Sequence, residues 1–228
     1  QDVINSEGAW FGAKYSFSTN WQASTTSVEA YWQQRPSQLK NTVKRKKNKL
    51  LKNDCRIEIH ETLTPELLEH YWQVYNQSWK QPEADQYFIN WLARYSASAG
   101  LLRLGMVYFK DKPIASQLWL VQHQSAAIYK LAQDQAFDTL SPGTVLMAEI
   151  ADYVISQDKV QKIDFLTGND AYKALWMDEK TPIYGMELFH LQHWSGRFLY
   201  WRFQFKKTVK CCLASVRSLL KNAFEYKN

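Results

Sequence analysis

Ile128-Tyr129-Lys130-Leu131-Ala132, Ser141-Pro142-Gly143-Thr144, Ile163-Asp164-Phe165-Leu166-Thr167-Gly168 and Asp170-Ala171-Tyr172-Lys173-Ala174-Leu175-Trp176 follow one another along the chain. They read as strand, turn, capped helix, strand and short polar helix. A Ser at the N-cap with Pro at the first helical position is a strong helix start. From Ser141 to Ser156, Leu146, Ile150, Tyr153 and Val154 then fall on one face. The stretch therefore sets an exposed helix N-terminus between two strand ends, with an Asp, a Tyr and a Lys just downstream. Free N–H groups and the helix dipole at such an end favour a phosphate, and Gly143 lets a ligand approach the backbone. The alternative is an ordinary capped helix.

Working outward, Leu101 to Phe109, Pro113 to Val121 and Ser125 to Ala132 read as three successive strands, the first two joined by the turn Lys110-Asp111-Lys112. Cys55 to His60 alternates and reads as a strand. Thr64-Pro65 opens a helix with Leu67, Leu68, Tyr71, Trp72 and Tyr75 on its buried face, ending near Ser78-Trp79-Lys80. A second helix over 84–98 is expected to turn Phe88, Trp91, Leu92 and Tyr95 to the core. Tyr31 to Lys52 reads as one helix with a sparse stripe of Leu39, Val43, Leu50 and Leu51. Residues 1–30 hold one or two short strands and a loop, and 183–191 a last strand. Mixed order with a central meander makes the class α+β, or α/β in some schemes, rather than a doubly wound sheet.

The chain has 228 residues, and ten Trp exclude a disordered composition. No apolar run approaches the roughly 18 residues that a membrane span needs. The first residue is Gln and no signal peptide is visible, so the chain reads as part of something longer. Cys55, Cys211 and Cys212 form neither a disulfide framework nor a metal site, and fit a reducing cytoplasmic setting. His190 and His193 lack further ligands nearby, so no metal is expected. The net charge of +6 is local: residues 35–52 carry eight Lys or Arg and no acid, and 194–228 carry eight and one Glu. The run Lys44-Arg45-Lys46-Lys47 lacks the interleaved aromatics that stack bases, and reads as a solvated face or a surface for an anionic acceptor or phospholipid. The aromatic, basic segment from Trp194 suits peripheral contact with an anionic membrane, or packing on the protein body or a partner.

Tyr172 is a candidate general acid, Asp170 or Asp164 a candidate general base, and Lys173 a charge partner for phosphate or acceptor. The plainer reading makes Asp170 a helix cap, Tyr172 and Trp176 core, and Lys173 solvated. No Gly-x-Ser-x-Gly elbow, Walker loop or dinucleotide fingerprint is present.

At these residues the chain resembles the GNAT-type acyltransferases of the CelD-like branch, found with cellulose and exopolysaccharide biosynthesis proteins and distantly related to Fem-type aminoacyl transferases. The resemblance begins at Ser37-Gln38-Leu39-Lys40-Asn41 and continues through Tyr75-Asn76-Gln77-Ser78-Trp79-Lys80 to the motifs quoted first, covering about residues 31–190. It implies a mixed, mostly antiparallel sheet flanked by helices and split between strands 126–132 and 162–168. An acyl-CoA co-substrate, acetyl-CoA above all, lies in that split against Lys130, Leu131 and Ala132, its pyrophosphate at Ser141, Pro142, Gly143 and Thr144. The implied activity is N- or O-acetyl transfer to a saccharide or cell-envelope precursor, in the cytoplasm or at the inner membrane face. A non-catalytic module of an exopolysaccharide machine and an aminoacyl-tRNA-dependent transferase are the alternatives. The implied layout is an upstream remnant (1–34), the acyltransferase domain (35–193) and a basic aromatic helical segment (194–228). One departure stands out: the family's phosphate loop is rich in Gly and Arg or Gln, whereas residues 133–158 hold one Gly and no Lys or Arg.

Overall fold

The computed structural model of the chain describes residues 10–206, 208 and 209. Its strands are β1 (Trp10–Ser24), β2 (Cys55–His60), β3 (Leu102–Phe109), β4 (Lys112–Gln122), β5 (Ser125–Gln133), β6 (Lys162–Thr167) and β7 (Glu179–His190). The helices are α1 (Val28–Gln33), α2 (Ser37–Lys52), α3 (Pro65–Asn76), α4 (Gln86–Ser98), α5 (Pro142–Ser156) and the single turn α6 (Lys173–Trp176), with a 3-10 helix at Gln135–Leu140. The seven strands run in the order β2-β3-β4-β5-β6-β1-β7, and all the described pairings are antiparallel except β5 with β6. The fold is thus the mixed, mostly antiparallel α+β sheet flanked by helices that the sequence predicts. The described residues form two compact units, one of Ser18–Pro182 and the other of residues 10–17 with those from Ile183 onward.

In the larger unit, strand alternation divides β3 between two cores. Leu102, Leu104, Met106 and Tyr108 pack with α3 and α4, whereas Val107 joins the cluster under α5, α2 and α1. Helix α5 buries Val145, Leu146, Met147, Ala148, Ile150, Ala151, Val154 and Ile155, more of its circumference than one face. The turn between β3 and β4 has positive φ at both Lys110 and Asp111, which suits the twist of a tight hairpin.

Three expectations are corrected. The helix expected over 31–52 is broken at Arg35-Pro36, because a residue before proline avoids helical backbone. Arg35 is buried instead, donating to the carbonyls of Tyr31 and Trp176 and to Asp178. Residues 10–24 form one long strand rather than one or two short ones. On α4 the faces are exchanged: Ile89, Ala93 and Ser96 are buried, while Phe88, Trp91 and Tyr95 stand in solvent with Leu92 half-buried. Ile89 and Ala93 join the cluster of Leu102, Leu104 and Met106 on β3 with Tyr71 and Tyr75 on α3, and Trp72 donates to Asn90.

In the smaller unit, Phe189 packs edge-on against Tyr200 and close to Phe203, and Phe11 also meets Tyr200 edge-on. Residues 194–206 are helical and expose Trp194, Phe198, Trp201 and Phe205. Of the expected C-terminal segment, residue 207 and residues 210–228 lie outside the described residues, as do residues 1–9 of the expected upstream remnant. Among the described residues no helix is long and apolar enough to cross a membrane.

Candidate active site

Strands β5 and β6 part company soon after they meet. Ser125, Ala126 and Ala127 pair with Lys162, Ile163 and Asp164, and no pairing between the strands follows. At the same point β5 carries a bulge: Leu118 faces Lys130 and Trp119 faces Ile128, which leaves Tyr129 as the extra residue. From Ile128 onward the β6-facing edge of β5 therefore has no ladder partner. A cavity of about 220 Å³ sits on this splayed region, lined by Trp79, Gln117, Leu131, Ala132, Gln133, Gly143, Thr144, Met147, Tyr172 and Trp176.

Five of the residues singled out from the sequence meet here: Leu131, Ala132, Gly143, Thr144 and Tyr172. Tyr172 packs edge-on against Phe165, and its phenol is pushed up to about 12 by burial, with the Asp170 charge adding to the effect. It stays protonated across the physiological range.

The start of α5 differs from the expected side-chain cap. Ser141 occupies the N-cap with positive φ and makes no capping bond; its hydroxyl donates to the Asp138 carbonyl at 3.2 Å. The Gly143 N–H instead donates to Gln133 Oε1 at 3.0 Å, while Gln133 Nε2 donates to Asp138 at 2.6 Å. A Cβ at Gly143 would stand 2.7 Å from Gln133 Oε1, so the open approach to this backbone is used by a carboxamide. Gln117 also donates to the Gly143 carbonyl at 2.8 Å. Cationic charge absent from the loop itself arrives in space: Lys46 and Lys49 of α2 both donate to the Thr139 carbonyl, two residues before Ser141. Burial and the charges of Lys49 and Arg45 hold the Lys46 ammonium below the ordinary lysine value.

The remaining candidates lie around the cavity rather than on its wall. Asp164 accepts from Gln22 at 2.8 Å, Asn20 at 3.3 Å and the Leu166 N–H at 2.7 Å, so its carboxylate ties β6 to β1. Lys173 is buried, and its ammonium donates to the carbonyls of Thr167 at 3.0 Å and Phe165 at 3.4 Å. Burial pushes that ammonium below the usual lysine value, against the opposing pull of Asp170. Asp170 is 62% exposed with its carboxylate 3.7 Å from Lys173. It caps nothing, because Tyr172 is the N-cap of α6 and makes no side-chain cap bond. Gly168 has φ +130°, a region closed to other residues, and so turns the chain from β6 toward Tyr172.

Sequence reading missed Trp79, Gln117, Gln133 and Met147, and placed Trp176 only as core. It also missed Glu83, which pairs with Lys130, a residue expected against the co-substrate that does not line the cavity. Glu83 accepts from Tyr75 at 3.1 Å and pairs with Lys130, whose hydrogen bond holds the Glu83 carboxyl below the usual range. Among the described residues no group of three or more His, Cys, Asp or Glu could hold a metal ion.

A splayed mixed sheet with a helix N-terminus beside the splay defines the architecture of an acyltransferase. Residues 37–174 match the family described as acetyltransferase (GNAT) domain, and the chain belongs to that family. A search of curated proteins gave no match. Among solved structures the chain resembles FemX, with a TM-score of 0.57 and 10% identity over 73% of this chain and 60% of that one. It resembles the C-terminal domain of a lysylphosphatidylglycerol synthetase, described as putative, from Agrobacterium fabrum (TM-score 0.54, 11% identity, 77% and 60% covered). It also resembles a conserved protein of unknown function from Bacteroides thetaiotaomicron (TM-score 0.56, 12% identity, 79% and 62% covered). These likenesses are of fold, and the chain spans only 60–62% of the length of these structures.

Proposed function

We propose that this chain transfers an acyl group, most simply acetyl from acetyl-CoA, to an amine or hydroxyl of a saccharide or cell-envelope precursor. Donor and acceptor are held together, and the acceptor attacks the thioester directly. The observation that carries this reading is the cavity at the splay of β5 and β6, with Tyr172 on its wall and the start of α5 at its edge. Leu131, Met147 and Trp176 offer an apolar wall for a thioester tail. GNAT domains use acyl-CoA as co-substrate, and the phosphates of such a donor would replace Gln133 at the Gly143 N–H. That exchange gives up one neutral hydrogen bond, worth about 1 kcal/mol, while Lys46 and Lys49 stand nearby to offset the new charge.

Within this reading the unpaired edge of β5 polarises the thioester carbonyl through its backbone N–H groups. Asp170 accepts the proton of the attacking group. The Tyr172 phenol donates a hydrogen bond to the departing sulfur, because a phenol with a pKa of about 12 releases its proton only as charge builds there. Asp164 and Lys173 hold the frame that carries these groups. No serine or cysteine lines the cavity, so the reading includes no acyl-enzyme. The motifs shared with the CelD-like branch support an acceptor from exopolysaccharide or cellulose synthesis, and the aromatic, basic helix from 194 supports contact with an anionic membrane face.

Titration calorimetry with acetyl-CoA and longer acyl-CoAs tests the donor; absence of heat and of thermal stabilisation with all of them sinks the CoA-dependent version. The loop without Lys or Arg at 133–158 favours a second reading, transfer from aminoacyl-tRNA. Strong, salt-sensitive affinity for tRNA would support it, and none at low salt would end it.

A further inference from the structure

Beside the cavity, outside the residues given catalytic roles above, lies a cluster with more cations than it neutralises. The turn after α3 is fixed on both sides: Ser78 donates to the Tyr75 carbonyl at 2.7 Å, and the Gln135 N–H donates to the Gln77 carbonyl at 3.4 Å. This places Trp79 on the cavity wall and Lys80 next to it, with the Lys80 ammonium 5.7 Å from the centre of the Trp79 ring. Lys130 lies two residues before Ala132 on β5, hence on the same strand face as that wall residue and roughly 7 Å along the strand. Glu83 is paired with Lys130 and bonded to Tyr75, leaving Lys80 without an ion pair among the described residues.

Lys80 is half-buried, and its surroundings disfavour its charge. Burial and the Lys130 charge lower its pKa, Lys173 adds to this, and Asp170 and Glu83 oppose it. An ammonium in that position gains most from an oxyanion brought in by a ligand, which replaces lost water and screens Lys130.

We propose that the acceptor enters past Trp79 and that Lys80 and Lys130 form an anion-holding lip there, which selects an acceptor carrying a phosphate or carboxylate over a neutral one. The inference deepens the acyl-transfer reading by naming the charge of the acceptor. Lys80 binds the acceptor's charged group and takes no part in bond making.

The test uses the full chain and three probes, glucose, glucose 1-phosphate and glucuronate, with affinities measured by calorimetry or ligand-observed NMR. A charged probe should bind measurably more tightly than glucose, and which one leads tells phosphate from carboxylate. Lys80→Met should weaken the charged probe by roughly ten- to a hundredfold, the worth of one hydrogen bond to a charged group, and leave glucose unchanged. Lys80→Arg should restore most of the affinity, and Lys159→Met, at an exposed position beyond the C-terminal end of α5, should have no effect. Affinity should also fall as pH rises through the lowered Lys80 pKa, a dependence that Lys80→Met abolishes. Equal binding of glucose and the charged probes, or charged-probe affinity untouched by Lys80→Met in a variant that melts like the wild type, overturns the lip. Turnover of acetyl-CoA with Lys80→Met unaffected removes the lip and leaves acyl transfer standing. Charged-probe binding that depends on Lys80, with no acyl-CoA binding, keeps the lip and removes acyl-CoA as donor.

Discussion

Replacing Lys173 by Met separates two roles that the same lysine could play. Its side chain is buried, at 4% exposure, and its ammonium donates to the carbonyls of Thr167 and Phe165 where the chain leaves β6. Met fills similar space and donates nothing, so both carbonyls lose a charged donor, at roughly 1.5–3 kcal/mol for each good bond. The Phe165 contact is long, at 3.4 Å, and counts for less than the 3.0 Å bond to Thr167. Against this, Met spares the burial of an ammonium, which the lowered Lys173 pKa shows to be unfavourable. The balance is a loss of about 3 kcal/mol. For a chain of this size that is roughly 6–12 °C in Tm. Urea unfolding followed by tryptophan fluorescence, with unchanged m, reads the loss directly. The sign of the pH effect is also fixed. Folding lowers the Lys173 pKa, so the unfolded chain binds more protons just below the ordinary lysine value of 10.5, and stability rises with pH through that window. The Met variant lacks this contribution. Turnover should fall together with stability, since Tyr172 is held by the same turn. A variant as stable as the wild type, with a raised KM for the donor, would refute this account and make Lys173 a phosphate ligand.

Gly168→Ala forces a Cβ onto φ +130° and to within 2.7 Å of Lys173 Nζ, so a loss of about 2–3 kcal/mol with reduced turnover is expected by the same urea assay. Tyr172→Phe should leave Tm within about 1–2 °C and lower kcat by roughly ten- to a hundredfold, with KM little changed, in a thiol-release assay. Asp158→Asn leaves the buried Arg103, now bonded by its Nε to Asp158 at 2.9 Å, without its main counter-charge, and should cost about 3–5 kcal/mol in denaturant. Trp91→Ser on the outer face of α4 should cost about 1 kcal/mol, the worth of its stacking on Tyr95, against the roughly 3–5 kcal/mol of a truncated core Trp. That result would set the exchanged faces of α4 apart from the arrangement expected from sequence, in which Trp91 is core.

Much of the frame could be read from local chemistry. Thr64-Pro65 starts α3, Lys110-Asp111 turns β3 into β4, and the alternation of 55–60 is β2. The faces of α4 could not be read, because Ile89, Ala93 and Ser96 recur at helical spacing just as Phe88, Trp91 and Tyr95 do. Which set is buried depends on the β3 and α3 side chains that α4 meets, which spacing along α4 does not show. The break at Arg35-Pro36 was signalled by the proline, yet the charged pattern running through it suggested continuity. In the site, Gly143, Thr144 and Tyr172 belong to consecutive motifs and were found together. Gln133 escaped notice because it acts ten residues away from the helix it caps, and Trp79 because it comes from the turn after α3. Spacing along the sequence carries no record of such meetings, which depend on the order of strands in the sheet.

The pairing of β1 with β6 joins Asn20 to Thr167 and Ala23 to Ile163, across most of the larger unit. Contacts so distant in sequence form late, because loop closure must precede any gain from them. The meander β3-β4-β5 can assemble from neighbours, but the β6 side of the cavity has its buttress only after β1 has been brought back across all the intervening chain. In refolding, hydrogen-exchange protection of the meander should therefore precede that of β1 and β6, so that donor binding reports completion of the fold.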